Sequence, residues 1–393
     1  MAASPASWSR PAETALAAAT AVAVFAACWA LLHVGFWERD QIVDTPVYER
    51  YGDAIERGEV PYRDFAAEYP PLALPVFALP SWLDIDYRTG FEALMLLSGA
   101  ALVAFVALTP GVSPARLALA AAFPLLLGSV VLTRYDLWPA ALVAAALAAF
   151  LTGRERLAAG ILGAAAAAKL YPIVLLPVLG IWLWRRRGLR EALVAGAIFL
   201  GVAAAFVLPF LLAAPGGLLE SFGRQLSRPL QIESLAAAGM VVIQNSSGLD
   251  LVEMVGSHGS QNIGGLPGDV AGWLTTAAAV AVLAWLWVRF ARGGMEPERL
   301  ARYAAASLVA FVALGKVLSP QFLIWLVPLV VLVRGRAAVL LAAALVLTQL
   351  WFPYRYWDYA REFDATVAWI VLVRDLVLVA LLVTLAREEP RSA

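Results

Sequence analysis

The sequence has one cysteine and two histidines in 393 residues, and only 15% of its positions are charged. A single cysteine, Cys28, excludes a disulfide framework within the chain. His33 and His258 stand far apart and form no zinc-type ligand set. The acidic triplets Glu38-Arg39-Asp40 and Asp84-Ile85-Asp86 are of a kind that chance supplies often, so no metal is assigned. Charge of neither sign is in excess, because Lys+Arg and Asp+Glu both number 29. No nucleic-acid partner is expected. How the charge is distributed along the chain is more informative than its sum.

What the sequence has in abundance is apolar surface: 62% of residues are hydrophobic and the mean hydropathy is +0.78. A soluble domain of this length cannot bury so much, so lipid must be the solvent. The first uncharged run, 14–36, is long enough to cross a hydrocarbon core roughly 30 Å thick, and no soluble domain follows it. It is read as a retained signal anchor rather than a cleaved peptide. Further runs cover 90–109, 117–132, 137–151, 157–168, 172–184, 192–213, 270–288, 303–314, 321–333, 337–351 and 366–385. The stretch 72–83, interrupted by Pro75 and Pro80, would be only about 18 Å long as a helix and is too short to cross. The expected fold is therefore all-α and polytopic, a single membrane domain over residues 1–393. It has about twelve transmembrane helices and a short re-entrant or interfacial helix at 72–83.

Arginine clusters at Arg154/Arg156, at Arg185, Arg186, Arg187 and Arg190, within 289–302, and at Arg334/Arg336 must all face the cytoplasm under the positive-inside rule. One topology satisfies them, with both termini inside. It leaves an acidic outer face with two large loops, 37–71 and 215–269. The same topology gathers every unusual polar string on that outer face, around Asp44, Glu68, Arg134, Lys169, Arg228, Lys316 and Arg355. Several of the runs that lead there are well short of the roughly 20 residues a span needs, so their outer ends stop below the surface. Irregular backbone at that depth is tolerated only in protein or beside water, which implies a cavity opening outward.

A solvated loop acid is the ordinary reading of any one acid such as Asp40 or Asp44. Asp44, however, precedes an amphipathic helix over 46–58, with Pro46 in its first turn and Gly58 as its stop. An outer-loop carboxylate held this way can serve as general base for an acceptor hydroxyl. Lys169 and Lys316 each end a short outward-running helix, where a lysine also complements the helix dipole. Joined by Arg134, Arg228 and Arg355, they form a cationic group suited to phosphate. Arg374 and Asp375 read as a structural pair within a span, and Tyr171, Trp325, Trp351, Tyr354, Tyr356 and Trp357 as lipid-anchoring belt aromatics.

The ordered strings 44-DTPVYERYGDAIERGEVPYRDFAAEYPPLALP-75, 134-RYDLWPAAL-142, 169-KLYPIVLLP-177, 228-RPLQIES-234 and 316-KVLSPQFLIWLVP-328 together resemble the integral membrane glycosyltransferases of the GT-C superfamily. The resemblance is closest to glycosyltransferase family 87, the polyprenol-phosphate-mannose-dependent mannosyltransferases. It implies hexose transfer, mannose above all, from a polyprenyl-phosphate-linked donor to a lipid or glycan acceptor on the outer face of the cell membrane, with inversion and without a cofactor. By that resemblance Asp44 is the catalytic base, with Asp40 and Glu68 as candidates for a second acid. Lys169, Lys316, Arg134, Arg228 and Arg355 would contact the donor phosphate. Tyr48, Tyr69, Asp136, Tyr171, Gln231, Glu233 and Gln321 would contact substrate. One departure is that some members place a histidine at the phosphate, and neither histidine here lies in a matching string. Two other readings stay open: a transporter or flippase of a lipid-linked or anionic solute, and a GT-C enzyme using arabinose or glucose.

Overall fold

A computed structural model describes residues 11–38 and 42–387; Asp40 lies outside the described residues. Each uncharged run folds as a helix, because in lipid the backbone N–H and C=O groups must find partners within their own segment. Helix α1 (Pro11–Leu31) leads through a 3-10 turn at Gly35–Glu38 to α2 (Thr45–Glu56), and a second such turn at Pro71–Ala73 runs into α3 (Leu74–Ser81). Then come α4 (Tyr87–Leu108), α5 (Pro114–Leu127), the single turn α6 (Val130–Thr133), α7 (Leu137–Leu151) and α8 (Glu155–Ala168). A 3-10 segment at Tyr171–Leu175 opens α9 (Leu176–Arg187), followed by α10 (Leu189–Ala213) and α11 (Pro215–Leu226). Strand β1 (Leu230–Gln231), α12 (Leu235–Ser247), β2 (Glu253–Ser257) and β3 (Ser260–Gly264) precede α13 (Gly265–Arg292), α14 (Pro297–Ala313), α15 (Phe322–Val330) and α16 (Ala337–Gln349). Last are α17 (Tyr356–Ala360) and α18 (Ala365–Ala386). The chain is an all-α polytopic membrane protein, and the stretch expected to be too short to cross is the turn and helix 71–81.

Among the described residues five helices are long and apolar enough to cross a bilayer: Ala12–Leu31, Tyr87–Leu108, Leu189–Ala213, Gly265–Arg292 and Ala365–Ala386. The other runs fold as shorter helices, down to the nine residues of α15. Length goes with position. The 25-residue α10 buries only Ala195 and Phe199, whereas eight of the nine residues of α15 and thirteen of the seventeen of α14 are buried. A lipid-facing helix must span the hydrocarbon, but one enclosed by protein can stop short and leave room above its end. Small residues allow the closest approaches. A Cβ on Gly163 of α8 would stand 2.5 Å from the carbonyl oxygen of Phe199 on α10, so those two backbones are in contact.

The loop 215–269 carries structure that the sequence does not announce: α11, α12 and a three-stranded antiparallel sheet in the order β1-β3-β2. Leu230 pairs with Ile263 and Gln231 with Asn262, which ties the start of the loop to its end.

Polar side chains collect at two ends of the bundle. At one, Arg156 pairs with Glu191 at 2.5 Å and Arg187 with Glu155 at 2.9 Å, while Arg185 Nη1 donates to the carbonyls of Ala291 (2.6 Å) and Gly293 (2.7 Å). Arg116 donates to the carbonyls of Gly111, Val331 and Leu332, and Arg299 to those of Phe290 and Gly294. The far end of α13 adjoins β1, where a Cβ on Gly272 would touch Leu230. Since α13 has 28 residues, about 42 Å long, the arginine-rich end and the loop end are a membrane's thickness apart.

Candidate active site

At the loop end four interruptions of helix converge: 134–136 between α6 and α7, 169–170 after α8, 228–234 around β1, and 314–321 between α14 and α15. The backbone N–H of Gln231 donates to the carbonyl of Lys316 at 2.9 Å and its Nε2 to Ser319 Oγ at 2.8 Å, so two of these breaks are joined directly. This is irregular backbone enclosed by protein, as membrane depth requires.

Asp44 stands immediately before α2, where an aspartate commonly accepts a hydrogen bond from the first turn. Here its side chain makes no such cap; the carbonyl alone accepts from Val47 and Tyr48. The carboxylate instead meets Arg134, Oδ1 lying 3.1 Å from Nη1, while the Tyr48 hydroxyl lies 3.4 Å from Oδ2. Asp44 remains about one-third exposed and Arg134 is 6% exposed, so the pair has one open side. Aromatic packing holds it: Tyr48 stacks on Phe77 of α3 at 4.4 Å and meets Tyr69 and Tyr135 edge-on. Helix α2 can lie this close to α3 because Gly52 faces Phe77, whose carbonyl oxygen a Cβ would approach to 2.4 Å.

A second ion pair lies behind the first. Lys169 Nζ is 2.6 Å from Asp136 Oδ1, and Trp325 Nε1 donates to the same oxygen at 2.6 Å. Trp325 stacks on Tyr171 at 4.2 Å, and the Lys169 ammonium sits 4.4 Å from the Tyr135 ring centroid. Lys169 interacts electrostatically with both Asp44 and Arg134, so the two pairs form one network. Two cations thus match two acids. Arg228 adds positive charge beside them: its Nε is buried without a hydrogen-bond partner, and it interacts with Tyr69, Glu233, Glu68 and Asp44. Burial pushes the Arg228 guanidinium below its usual value, so an anion beside it would be welcome.

The remaining predicted residues divide. Glu68 and Tyr69 border the centre, with the Glu68 carbonyl accepting from Gln225 Nε2 at 3.2 Å. Glu233 is 2% exposed, and burial raises its carboxyl to about 7. Lys316 Nζ donates to the carbonyl of Leu226 at 3.1 Å, and Gln321 opens α15, its carbonyl accepting from Ile324. Arg355 has acidic partners of its own. It pairs with Asp358 and Asp364, both at 3.2 Å, within its own segment. Its neighbour Tyr356 is the residue that interacts with Glu233, Arg134 and Asp44. The belt reading of three aromatics is also corrected: Tyr171 and Trp325 are each 3% exposed and Trp351 is fully buried. They pack inside the bundle because ring stacking and the Asp136 acceptor are there. Arg374 and Asp375 form the expected buried pair at 2.6 Å, and Arg374 Nη2 also holds the Glu233 carbonyl at 2.8 Å. Among the described residues no cluster of three or more metal-ligating side chains occurs.

Two contributors escaped the sequence reading. Trp325 was legible only as an aromatic in an apolar run, although one indole N–H in such a run does ask for an acceptor. Tyr135 was legible only as the middle of 134-RYD-136.

No curated protein matches the chain. Residues 67–320, more than half of the 393, match glycosyltransferase family 87. The match takes in Glu68, Arg134, Asp136, Lys169, Arg228, Glu233 and Lys316, and it begins after Asp44 and ends before Gln321 and Arg355. The chain belongs to glycosyltransferase family 87.

Proposed function

We propose that this glycosyltransferase transfers a hexose, mannose being the expected one, from a polyprenyl-phosphate-linked donor to a lipid or glycan acceptor at the outer face of the membrane. The observation that carries the reading is the Asp44 carboxylate, which leaves its own helix uncapped and faces buried Arg134 at 3.1 Å. In the proposed reaction Asp44 takes the proton of an acceptor hydroxyl as that oxygen attacks the anomeric carbon. The new C–O bond forms while the bond to the phosphate oxygen breaks, and polyprenyl phosphate departs with the electron pair. Attack from the side opposite the leaving group gives inversion. Arg134 holds the Asp44 carboxylate in place, and with Arg228 it supplies donors for the developing phosphate charge. Lys169 is engaged by Asp136, so its part is to fix the 134–136 segment that carries Arg134.

What supports the outer-face reading is the arginine-rich opposite end, which the positive-inside rule assigns to the cytoplasm. A lipid-linked donor suits a site on that side. A transporter would place its polar groups near the midplane between paired broken helices, whereas these gather at one end.

The test supplies membranes holding the full chain with radiolabelled polyprenyl-phosphate mannose and an extract of lipid and glycan acceptors. A labelled product with a new glycosidic bond is expected. Label that only moves between leaflets, or product formed from arabinosyl or glucosyl phosphoryl lipids but not the mannosyl one, contradicts the proposal in its mechanism or its sugar.

A further inference from the structure

Beside the Asp44–Arg134 centre lies a cavity of about 240 Å3, lined by Glu68, Arg224, Gln225, Arg228, Ser257 and His258. Its walls come from three places: the first loop, the end of α11 with the residues after it, and the tip of the β2–β3 hairpin. The hairpin tip has both central residues in the left-handed region, His258 at φ 54° and Gly259 at φ 66°, as a two-residue type I′ turn requires. Asn262, 1% exposed, clamps that turn by donating from Nδ2 to the carbonyls of Ser257 (2.9 Å) and Ser260 (3.1 Å) and to Ser257 Oγ (3.1 Å). The tip leans on the first loop, since a Cβ on Gly259 would come within 3.8 Å of Glu68 Oε2. Gln225 closes the third side through its bond to the Glu68 carbonyl.

The lining alternates acceptors and donors around a small space. The Glu68 carboxylate and the Gln225 amide oxygen accept; Arg224, Arg228, the Ser257 hydroxyl and the His258 ring donate. A free phosphate would meet the Glu68 carboxylate at close quarters. The vicinal hydroxyls of a sugar ring, each both donor and acceptor, use both kinds of wall. The volume lies just below the roughly 300–1,000 Å3 of drug-sized ligand sites, which suits one ring rather than a lipid chain. Arg228 links the cavity to the centre, because it lines the cavity and also interacts with Tyr69 and Asp44.

Resting on the glycosyl-transfer reading above, we infer that this cavity is the acceptor-sugar subsite. It holds a pyranose of a glycan-bearing acceptor, with Glu68 and Gln225 accepting from its hydroxyls and Arg224, Arg228 and His258 donating to them. The acceptor hydroxyl is thereby presented to Asp44.

Arg224 and His258 are both exposed, and Arg224 pairs only with Glu220 on its own helix, so the double variant Arg224→Ala/His258→Ala is expected to fold; its melting temperature is measured alongside. With the full chain in nanodiscs and no donor present, saturation-transfer NMR of methyl α-mannoside should show binding by the parent chain that the double variant loses. Equal transfer by both, at matching melting temperatures, overturns the inference whether or not the donor assignment is right. With radiolabelled polyprenyl-phosphate mannose as donor and methyl α-mannoside as acceptor, the double variant should raise the acceptor KM about tenfold, the effect of about 1.4 kcal/mol, while the donor KM stays within twofold. An unchanged acceptor KM, or both KM values rising together, also overturns it. Probe binding lost in the variant, combined with no product from this donor in the parent chain, supports the sugar subsite and contradicts the donor reading instead.

Discussion

At Asp44 two uses of one carboxylate compete. The position before α2 offers it backbone N–H groups, a bond worth about 1 kcal/mol, and it declines them for a buried guanidinium. A charge-assisted bond to a desolvated Arg134 is the stronger of the two, and it leaves the second oxygen turned toward Tyr48 and the open side. Glu233 presents the opposite case, a carboxyl so enclosed that burial outweighs the nearby Arg374, Gln231 and Arg228 and raises it to about 7 from the usual 4.5. Its neutral form is favoured in the folded protein. The associated stability is fully present below pH 4.5 and is lost as pH rises through 7, by up to about 3 kcal/mol. Glu233→Gln should therefore melt with the parent chain at pH 4.5 and several degrees above it at pH 8. Coincident melting at pH 8 would mean that burial does not raise the Glu233 carboxyl. At this scale Asp44, Arg134 and Lys169 were legible in the sequence as chemistry, but their partners were not. Asp136 and Trp325 are 189 residues apart, and no spacing rule joins them. The partners of Arg355 are local instead: Asp358 and Asp364, close by in sequence, pair with it.

At the scale of elements the helices were easy to read, since an uncharged apolar run in lipid has one secondary structure open to it. Helix α2 was read from Pro46 and Gly58, and it spans Thr45–Glu56. The β2–β3 hairpin was missed. Its strand Glu253–Ser257 has no apolar alternation, and what holds the turn is the Asn262 side chain; the one local signal was Gly259 at the second turn position. The short helices α14 and α15 read as spans; what the sequence does not reveal is that they are buried inside the bundle. Packing between elements depends on positions with no side chain. Gly163 faces the α10 backbone, so Gly163→Val should push α8 from α10 and cost about 1–3 kcal/mol, seen as a lower melting temperature in detergent. Gly180, whose Cβ would meet nothing within 4 Å, is the matched control, and Gly180→Val should leave melting almost unchanged. If the two variants melted alike, backbone contact at Gly163 would not be what holds α8 to α10.

Over the whole molecule the division of charge gives the account its direction. One end ties arginines to acids and carbonyls of neighbouring segments; the other holds the broken helices, the small sheet and the Asp44 network. In a Cys28→Ser background, Ser227→Cys should react with a membrane-impermeant maleimide on intact cells and Arg336→Cys only after permeabilisation, both positions being exposed. Labelling of both from one side would break the topology and with it the outward-facing site. The central claim, that Asp44 is the base of an outward-facing sugar transfer, is most directly tested by single-turnover transfer from radiolabelled polyprenyl-phosphate mannose in the parent chain and in Asp44→Asn. The account predicts a fall of about 100-fold or more in the transfer rate with donor binding and melting temperature retained; transfer by Asp44→Asn at the parent rate would contradict it.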